Sequence, residues 1–492
     1  MPLLAIDQGT TGSTALVLDE EGRTLGRATR EFAQHFPEPG WVEHEPDEIW
    51  SSVVASVEAA LAAAKIGGKD IVAIGITNQR ETTVVWDRAT SRPIHRAIVW
   101  QDRRTSPICA ALKERGLEPR VSDVTGLVLD PYFSGTKAAW ILDHVEGARA
   151  RADAGELAFG TVDSYLVWRL SGGAVHATDV TNASRTLLMD LASRTWSDEM
   201  LALFGVPRAV LPRIVPSASR IAETRGFGPL PDGVPIAGIA GDQQAALFGQ
   251  ACFSLGDTKC TYGTGAFILM NTGAGPVRSR HGLLTTVGWQ LGDQVTYALE
   301  GASFIAGAAV QWLRDGLGII ERAADIEALA RSVPSSDGVA FVPALSGLGA
   351  PHWNAEARGL VSGITRGTTR AHLARATLEG IAFGVNDLMQ AMAKDLGRPL
   401  ARLRVDGGAA ANDLLMQLQS DYSRVVVERP EELESTARGA AMLAGIGAGI
   451  FATPADAARL SKTAATFKPT MSEADRAASL ARWDAALKRA MG

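Results

Sequence analysis

Cysteine is scarce in this chain of 492 residues, and its few cysteines form no recognisable site. Cys109, Cys252 and Cys260 contain no CxxC pair and have no spacing typical of metal ligands. Three cysteines cannot support a disulfide framework, which predicts a reducing compartment. No apolar run approaches the roughly 18 residues that a membrane-spanning helix needs, and the opening MPLLAIDQGT carries no positively charged leader. We therefore expect a cytoplasmic protein without an integral membrane segment.

A surplus of basic charge is also missing. The formal net charge is −6, and acidic and basic residues are interspersed along the chain. The sequence therefore indicates neither a nucleic-acid-binding face nor a polybasic membrane patch. The histidines form no HExxH or other metal-binding pattern, so we assign them no chemistry.

Two common nucleotide-binding signatures are absent as well. There is no GxxxxGK[ST] motif, which excludes a P-loop enzyme. The glycine-rich stretch at 445–449 resembles a dinucleotide fingerprint, but it follows a helical pattern and not a strand. Packing is the role that this context favours.

The first part of the chain reads as alternating strands and helices after an opening hairpin. Apolar runs at 3–7 and 15–19 flank the turn GTTGST, and a third strand is predicted at 24–32. Apolar residues at helical spacing predict a helix over 46–64, and a continuous apolar run predicts a buried strand at 71–77. This order is typical of an α/β fold with a mixed sheet.

The same order of events begins again near residue 257. Strands are predicted at 259–262, 266–271, 295–299, 339–343 and 403–406, and helices at 304–313, 371–395 and 411–422. Because a chain of this length exceeds a single hydrophobic core, we predict two similarly built domains, 1–250 and 251–492. The two domains would face each other across a cleft.

Glycine and threonine turns between strands are candidate phosphate loops. Asp7 ends the first strand and is followed by Thr10, Thr11 and Gly12 in a turn. Backbone N–H groups and threonine hydroxyls in such a turn can bind phosphate oxygens, and the carboxylate can hold Mg²⁺. A plain hairpin turn has the same composition, so the motif alone leaves both interpretations open.

The second half repeats this feature and adds another turn. Thr264 lies in the turn of Tyr262-Gly263-Thr264-Gly265, between two predicted strands. A triphosphate held between two domains needs one such loop from each. A further glycine turn at 406–409 precedes a helix predicted to begin near Asn412, which suits a nucleotide contact at a helix N-terminus.

Two polar segments follow buried strands and are candidate substrate sites. Arg80 and Glu81 follow the strand at 71–77, and Asp242 and Gln243 follow the apolar run GIAG. Ligand contacts in α/β proteins lie at the carboxyl ends of strands, and an arginine beside a glutamate offers donors and acceptors to neighbouring hydroxyls. A solvated loop is the alternative for Arg80 and Glu81. Helix N-capping is the other interpretation of Asp242, and it is compatible with a catalytic role. We choose Asp242 as the base that receives a substrate proton.

Three aromatic residues lie in or beside the polar segments. Trp100, Tyr132 and Phe267 are each more typical of a core position when taken alone. Together they could form an apolar wall against the carbon chain of a polyol.

The motifs as a set resemble those of the glycerol kinases, members of the FGGY family of carbohydrate kinases. The matching stretches are IDQGTTGS, NQRETTVVWD, IVWQDRRT, DPYFSGTKAAWILDHVEG, GIAGDQQAALFGQ, YGTGAF, GAAVQWLRDG, GLVSGITRGTTRAHLARATLE and VDGGAAANDLLMQLQSD. They run from residue 3 to about residue 442 and so cover nearly the whole chain. The resemblance implies two actin-like, ribonuclease H-like α/β domains whose mixed sheets flank a nucleotide cleft.

The resemblance also implies an activity: phosphorylation of glycerol to sn-glycerol 3-phosphate with ATP and Mg²⁺. The positions that match the family's contacts to the three hydroxyls are Arg80, Glu81, Tyr132, Asp242 and Gln243, and the aromatic walls match Trp100 and Phe267. The nucleotide contacts match Thr10, Thr11, Gly12, Thr264, Gly307, Gln311, Gly408 and Asn412, and the magnesium and base positions match Asp7 and Asp242. A homodimer or homotetramer is expected as well.

The sequence departs from the family pattern in four places. Thr14 stands where many glycerol kinases have an arginine, and Gly12 stands where serine is usual. The stretch at 228–234 lacks the basic glycine loop with which regulated bacterial members bind fructose 1,6-bisphosphate. Ser472 replaces the carboxylate of a zinc-bridged regulatory contact. We therefore expect the chemistry to be retained without these controls.

Two other functions compete with this hypothesis. A kinase for another small polyol or ketose, such as dihydroxyacetone or erythritol, would share most of the motifs. An actin-like or chaperone-like ATPase would share the fold, but it has no need of the polar pairs at 80–81 and 242–243.

Overall fold

A computed structural model describes residues 1–354, 356–432 and 434–492. In chain order the strands β1 to β23 are Leu3–Gln8, Gly12–Leu18, Thr24–Glu31, Glu43–His44, Ala73–Asn78, Thr83–Asp87, Ala97–Ile98, Leu157–Thr161, Ala177–Asp179, Met189–Asp190, Thr195–Trp196, Arg213–Val215, Ala218–Glu223, Pro235–Gly241, Thr258–Tyr262, Ala266–Gly273, Leu284–Leu291, Gln294–Ser303, Ala340–Val342, Leu360–Ser362, Arg402–Asp406, Val426–Pro430 and Thr463–Phe467.

The helices α1 to α16 are Pro46–Ala64, Ser106–Glu114, Glu118–Thr125, Ser134–His144, Ala148–Asp153, Val162–Leu170, Val180–Ala183, Asp198–Phe204, Asp242–Gly249, Gly307–Asp315, Asp325–Arg331, Arg370–Leu396, Asp413–Ser423, Ser435–Gly447, Pro454–Ala457 and Glu473–Met491. Short 3-10 helices occupy Gly68–Asp70, Arg208–Val210, Gly408–Ala411 and Ala458–Leu460. Among these described helices, none is both long enough and apolar enough to cross a lipid bilayer.

The predicted strands and helices are confirmed with small shifts at their ends. Helix α1 covers the predicted range and buries Ile49, Val53 and Val57, which lie on one face at helical spacing. The helix predicted at 304–313 begins later, at Gly307. The reason is a tertiary contact: the backbone N–H groups of Ala306 and Ala308 both donate to the carbonyl oxygen of Thr264, at 2.8 and 3.1 Å. The turn after β15 thus holds the chain just before the helix starts.

The repeated order in the sequence corresponds to a repeated strand pairing. In the first half β1 pairs antiparallel with β2, and β2 with β3, while β5 and β14 add in parallel and β13 closes antiparallel. In the second half β15, β16 and β18 pair antiparallel, β21 and β22 add in parallel, and β23 closes antiparallel. The two halves therefore contain the same five-step pattern of pairing.

The two sets of strands meet in one 13-stranded sheet. The link is a parallel pairing of β13 with β17, in which Ala218 lies opposite Leu291. A separate four-stranded sheet, in the order β4-β7-β6-β8, is formed within the first half of the chain. The polar segments at 78–82 and 241–244 lie at the ends of β5 and β14, near the middle of the large sheet.

Helix α14 comes from the second half of the sequence but packs in the first half. It lies against β1, β5, β14 and helix α9, and its alanines are buried in one cluster with Leu3 and Phe248. Helix α14 thus belongs to the predicted second domain by sequence and to the first by packing. The division of the chain at residue 250 stays a prediction.

Glycines make the close approach of α14 possible. A methyl group on Gly439 would lie 1.8 Å from the carbonyl oxygen of Ala245 in α9, and one on Gly75 would lie 2.1 Å from that of Ala440. At the end of the helix, a methyl group on Gly447 would lie 1.9 Å from the carbonyl oxygen of Ala237. The packing role predicted for the stretch at 445–449 is confirmed.

Helix packing around Gly439 gives a stability prediction. Gly439→Ala places a methyl group against backbone atoms that cannot move aside, and overpacking of this kind costs about 1–3 kcal/mol. We expect the melting temperature to fall by about 1–3 °C. Differential scanning fluorimetry or circular dichroism checks this.

Gly384→Ala is the matched control, because Gly384 also lies inside a helix. Its added methyl group would meet only the Ser303 hydroxyl, at an ordinary 3.4 Å. The gain in helix propensity, about 1 kcal/mol, is the same at both sites. Equal melting temperatures for the two variants would contradict the packing account.

Candidate active site

The two predicted polar segments meet at the carboxyl ends of neighbouring parallel strands. Strands β5 and β14 are in register with Asn78 opposite Gly241, so the residues that follow them emerge side by side. The Nε atom of Arg80 lies 3.1 Å from Oδ1 of Asp242. Gly241 is required here, because a methyl group on it would lie 2.7 Å from Cγ and Cδ of Arg80.

Asp242 lies at the accessible edge of this cluster. It is the first residue of α9, and Gly241 occupies the N-cap position, so the N-capping alternative is wrong. Its side chain is 32% exposed, whereas that of Arg80 is 2% exposed. Its Oδ1 atom also accepts a hydrogen bond from the Gln243 backbone N–H at 2.6 Å. Asp242 is therefore the carboxylate of the cluster that a ligand in the cleft can reach.

Arg80 is buried, and each of its donor nitrogens has a partner. Nη1 donates to Gln244 at 3.2 Å and to Glu300 at 2.5 Å, while Nη2 donates to Glu300 at 3.0 Å and to the Tyr132 hydroxyl at 3.3 Å. Burial opposes the charged guanidinium, but Glu300, Tyr132, Glu81 and Asp242 keep the pKa of Arg80 well above its ordinary value. The alternative of a solvated loop at 80–81 is wrong.

Glu81 is equally buried, and its main partner is not Arg80. The Nε atom of Arg185 donates to Oε1 of Glu81 at 2.7 Å, whereas Arg80 Nε lies 3.9 Å from the same oxygen. Burial raises the pKa of Glu81, opposed by Arg80 and Arg185. The backbone of Glu81 has a φ of 61°, in the left-handed region that residues other than glycine rarely adopt. Such strain is typical of functional sites, where surrounding contacts hold it.

Arg185 and Glu300 belong to this cluster and were missed by the sequence analysis. Both are buried, and Arg185 Nη2 donates to Oε1 of Glu300 at 3.0 Å. Glu300 gave one signal that could have been used: it is an acid that directly follows the apolar run at 295–299, and a buried charge needs a partner. Arg185 follows the short helix α7 and gave no comparable signal.

The three predicted aromatic residues are brought together beside Arg80. The Trp100 ring lies edge-on to Tyr132 with centroids 5.7 Å apart, and edge-on to Phe267 at 6.2 Å. Trp100 and Tyr132 come from the first half of the chain, and Phe267 comes from β16 in the second. Burial raises the pKa of the Tyr132 hydroxyl, which therefore stays protonated.

Gln243 is tied to a buried lysine that the sequence analysis also missed. Lys259, in β15, donates from Nζ to the side-chain oxygen of Gln243 and to the Thr261 hydroxyl. Burial lowers the pKa of Lys259. Because the amide oxygen of Gln243 faces this lysine, its NH₂ group is the donor that it can offer to a hydroxyl.

The two predicted phosphate loops are tight turns at equivalent places in the two halves. In the first, the Gly9 N–H donates to the Gly12 carbonyl at 2.9 Å, and in the second the Gly263 N–H donates to the Gly265 carbonyl at 2.9 Å. Thr11 is exposed at the tip of the first turn. The Thr10 hydroxyl accepts a hydrogen bond from Nε1 of Trp100 at 3.0 Å, which links the first loop to the aromatic wall.

Three of the departures from the family pattern, at Gly12, Thr14 and Ser472, have local explanations. A methyl group on Gly12 would lie 2.7 Å from the Arg30 carbonyl oxygen of β3, so a serine does not fit this backbone. The Thr14 hydroxyl shares a hydrogen bond with that of Thr29 at 2.9 Å. Ser472 is the N-cap of α16, where its hydroxyl accepts from the Asp475 N–H.

The other predicted nucleotide residues lie around the second half's loops. Gly307 begins α10, and a methyl group there would lie 2.6 Å from the Gly263 carbonyl oxygen, while Gln311 is exposed on the same helix. Asn412 is the N-cap of α13, where its side chain accepts from the Leu415 N–H at 2.9 Å. Gly408 has no heavy atom within 4 Å of the position of an added methyl group, so open space adjoins it.

The carboxylates near the first loop fit a cation. Burial and the nearby charges of Glu434 and Asp242 raise the pKa of Asp7 to about 8. Both oxygens of the buried Asp406 carboxylate lack a hydrogen bond of ordinary geometry in the described part of the chain. The described residues contain no group of three or more His, Cys, Asp or Glu side chains that could hold a metal alone. This donor set suits Mg²⁺, which binds through one or two carboxylates together with substrate phosphates and water.

Comparisons with known proteins agree with this geometry. The profile for the N-terminal domain of the FGGY family of carbohydrate kinases matches residues 2–249, and that for the C-terminal domain matches residues 258–448. Glycerol kinase of Myxococcus xanthus is 60% identical over 490 residues, which is 99% of each chain. Glycerol kinase of Bdellovibrio bacteriovorus is 54% identical over 488 residues, again 99% of each chain.

Solved structures show the same fold over the whole chain. The crystal structure of Plasmodium falciparum glycerol kinase with ADP has a TM-score of 0.94 and 35% sequence identity, covering 100% of this chain and 98% of that one. Xylulose kinase from Lactobacillus acidophilus has a TM-score of 0.89 at 22% identity, which shows the shared fold alone. With family profiles matching both halves and relatives aligned along its length, the chain belongs to the FGGY family of carbohydrate kinases.

Proposed function

We propose that this chain transfers the γ-phosphoryl group of ATP to a terminal hydroxyl of glycerol and releases ADP and sn-glycerol 3-phosphate. One observation carries the proposal: a reachable carboxylate, Asp242, stands beside a buried cluster of donors and acceptors with an aromatic wall. A small molecule with several hydroxyls and a short carbon chain matches that arrangement. The full-length similarity to glycerol kinases selects glycerol among such molecules.

Glycerol would bind between the polar cluster and the aromatic rings. Arg80, Glu81, Tyr132, Asp242 and Gln243 supply the partners for its hydroxyls. Trp100 and Phe267 contact its carbon chain. Since Phe267 lies in the second half, closure of the cleft would complete the pocket and exclude water, which would otherwise hydrolyse ATP.

Asp242 acts as the base. As the glycerol oxygen bonds to the γ-phosphorus, the bond from that phosphorus to the bridging oxygen of ADP breaks, and the hydroxyl proton passes to the Asp242 carboxylate. Phosphoryl transfer needs little covalent help beyond positioning and charge stabilisation. The side chain is suited to this task because it is accessible, whereas Glu81 and Glu300 are buried and bonded to arginines.

ATP would lie across the cleft between the Thr10 and Thr264 loops. The nucleotide contacts are those named above: Thr10, Thr11, Gly12, Thr264, Gly307, Gln311, Gly408 and Asn412. Asp7 and Asp242 would hold Mg²⁺, which neutralises charge on the β- and γ-phosphate oxygens when bound.

The cellular setting is part of the proposal. All three cysteines are free and buried, which supports a reducing compartment such as the cytoplasm. The homodimer or homotetramer expected from the family resemblance stays a prediction.

Asp242→Asn tests the base. The variant keeps the size of the side chain but cannot accept the proton, so we expect kcat to fall at least about 1,000-fold. Nucleotide binding, measured by calorimetry with ADP, should change little. Near-normal turnover in the coupled ADP-release assay would rule out this assignment.

A substrate panel tests the choice of glycerol. We expect ADP release to depend on an added polyol, with the highest kcat/KM for glycerol among glycerol, dihydroxyacetone, erythritol and xylulose. A higher value for another compound would reassign the substrate. ATP turnover that is independent of every polyol would instead favour a chaperone-like or actin-like ATPase.

Trp100→Phe tests the link between the aromatic wall and the phosphate loop. The variant keeps a ring against glycerol but removes the N–H that binds the Thr10 hydroxyl, freeing that hydroxyl to rotate away from phosphate. We expect KM for ATP to rise about 3- to 10-fold, by the loss of one hydrogen bond, and KM for glycerol to change less.

Trp168→Phe is the matched control for this variant. Trp168 also donates from Nε1 to a hydroxyl, that of Ser91 at 2.8 Å, but it lies away from the site. It should leave both KM values unchanged. If KM for ATP rose equally in both variants, the loss of any indole N–H donor would explain the rise, and the specific link between Trp100 and Thr10 would be contradicted.

A further inference from the structure

Glu300 connects the second half of the chain to the arginine that the proposed function places on glycerol. It lies in β18, which pairs with β16 and β17. Its two carboxylate oxygens accept from the two terminal nitrogens of Arg80, at 2.5 and 3.0 Å. A two-point contact of this kind fixes the plane of a guanidinium as well as its position.

Glu300 also closes a ring of alternating charges. Going around, Arg80 pairs with Glu300, Glu300 with Arg185, Arg185 with Glu81, and Glu81 lies 3.9 Å from Arg80 Nε. All four side chains are at most 2% exposed. The two positive and two negative charges balance, so removal of the Glu300 charge leaves an excess positive charge out of contact with water, which is costly.

The position of Glu300 decides which edge of Arg80 faces the pocket. An arginine has five N–H groups. Three of those on Arg80 point to Glu300 and Gln244, on the buried side. Of the other two, the one on Nη2 donates to the Tyr132 hydroxyl, and Nε lies 3.1 Å from Oδ1 of Asp242. Without Glu300 the guanidinium could turn toward Asp242 and bind both oxygens of the carboxylate that must accept the proton.

We infer that Glu300 is a positioning residue for polyol phosphorylation, acting through Arg80 and Arg185 from the second half of the chain. It does not touch the substrate. It holds the pocket-facing edge of Arg80 in place and keeps Asp242 from being fully paired. The inference rests on the proposed function, because it assigns Glu300 to the same site.

Glu300→Gln tests the inference. The variant keeps shape and size but loses the charge, and we expect kcat/KM for glycerol to fall at least about 10- to 100-fold, by the loss of charged hydrogen bonds. KM for ATP should stay within about threefold, since among the described residues the side chains of Glu300 and Arg80 make no hydrogen bond to the Thr10 or Thr264 loop. The measurement is full steady-state kinetics with each substrate varied in turn.

Glu379→Gln is the matched control. Glu379 is also a buried glutamate in the second half, bound by Arg375 at 3.0 Å and by Ser336 at 2.8 Å, but it belongs to another cluster. It should lower the melting temperature while leaving KM for glycerol unchanged. If Glu300→Gln behaves like this control, with lower stability and an unchanged kcat/KM for glycerol, the positioning role is overturned.

A second variant, Glu300→Asp, tests the same inference if Glu300→Gln does not fold. The aspartate retains the balanced charge, but its shorter side chain cannot contact both terminal nitrogens of Arg80. We expect a raised KM for glycerol in a folded protein, and wild-type kinetics would overturn the inference.

The assay separates this inference from the proposed function. If wild-type protein phosphorylates another polyol in place of glycerol, the proposed substrate fails, and the same variants are compared on that polyol. A loss of kcat/KM there supports the positioning role, and its absence overturns it.

Discussion

The rest of this site depends on a cluster of two arginines and two glutamates, each at most 2% exposed. Arg80 and Glu81 come from the end of β5, Arg185 follows α7, and Glu300 lies in β18. A charge out of water is tolerated only when its partners are close and well oriented. The need to satisfy these four side chains therefore constrains three separate parts of the chain to one arrangement. The accessible Asp242 and the aromatic wall are built on that arrangement.

Close backbone packing supplies the rigid frame for this cluster. Helix α14 presses against β5, β14 and α9, which are the elements that carry Arg80 and Asp242. The approach is possible only where glycines replace larger residues, at Gly75, Gly238 and Gly439. A helix from the second half of the sequence thus fixes the position of the strands that present the site in the first half. Interiors packed this tightly transmit small displacements instead of absorbing them.

The cleft contains two regions that differ in their electrostatics. Around Asp7, burial and the nearby charges of Glu434 and Asp242 raise the pKa of the Asp7 carboxyl, an arrangement that favours a bound cation. Around Arg80, the charges are balanced and leave oriented N–H and O–H groups. Asp242 belongs to both regions, since its charge acts on Asp7 and its Oδ1 lies beside Arg80 Nε. That shared position suits the proposed role of Asp242 as a base.

Local sequence determined the order of strands and helices, the two glycine-threonine turns, and the polar residues that follow β5 and β14. These features depend on neighbours in the chain: hydrophobic periodicity, turn-forming residues, and the position of a motif after a strand. Helix α1 was predicted to its ends for this reason. The start of α10 was not, because a backbone contact with Thr264, more than 40 positions away, holds Ala306 outside the helix.

Only the tertiary structure decided the partners within the site. Glu300 lies 220 residues from Arg80, and nothing local to either residue indicates that they form a two-point contact. Arg80 and Glu81 are adjacent in sequence but bind other residues more closely than each other, because the left-handed backbone of Glu81 turns its side chain toward Arg185. Pairing of buried charges depends on distances in space, and those are fixed when strands of the two halves join one sheet.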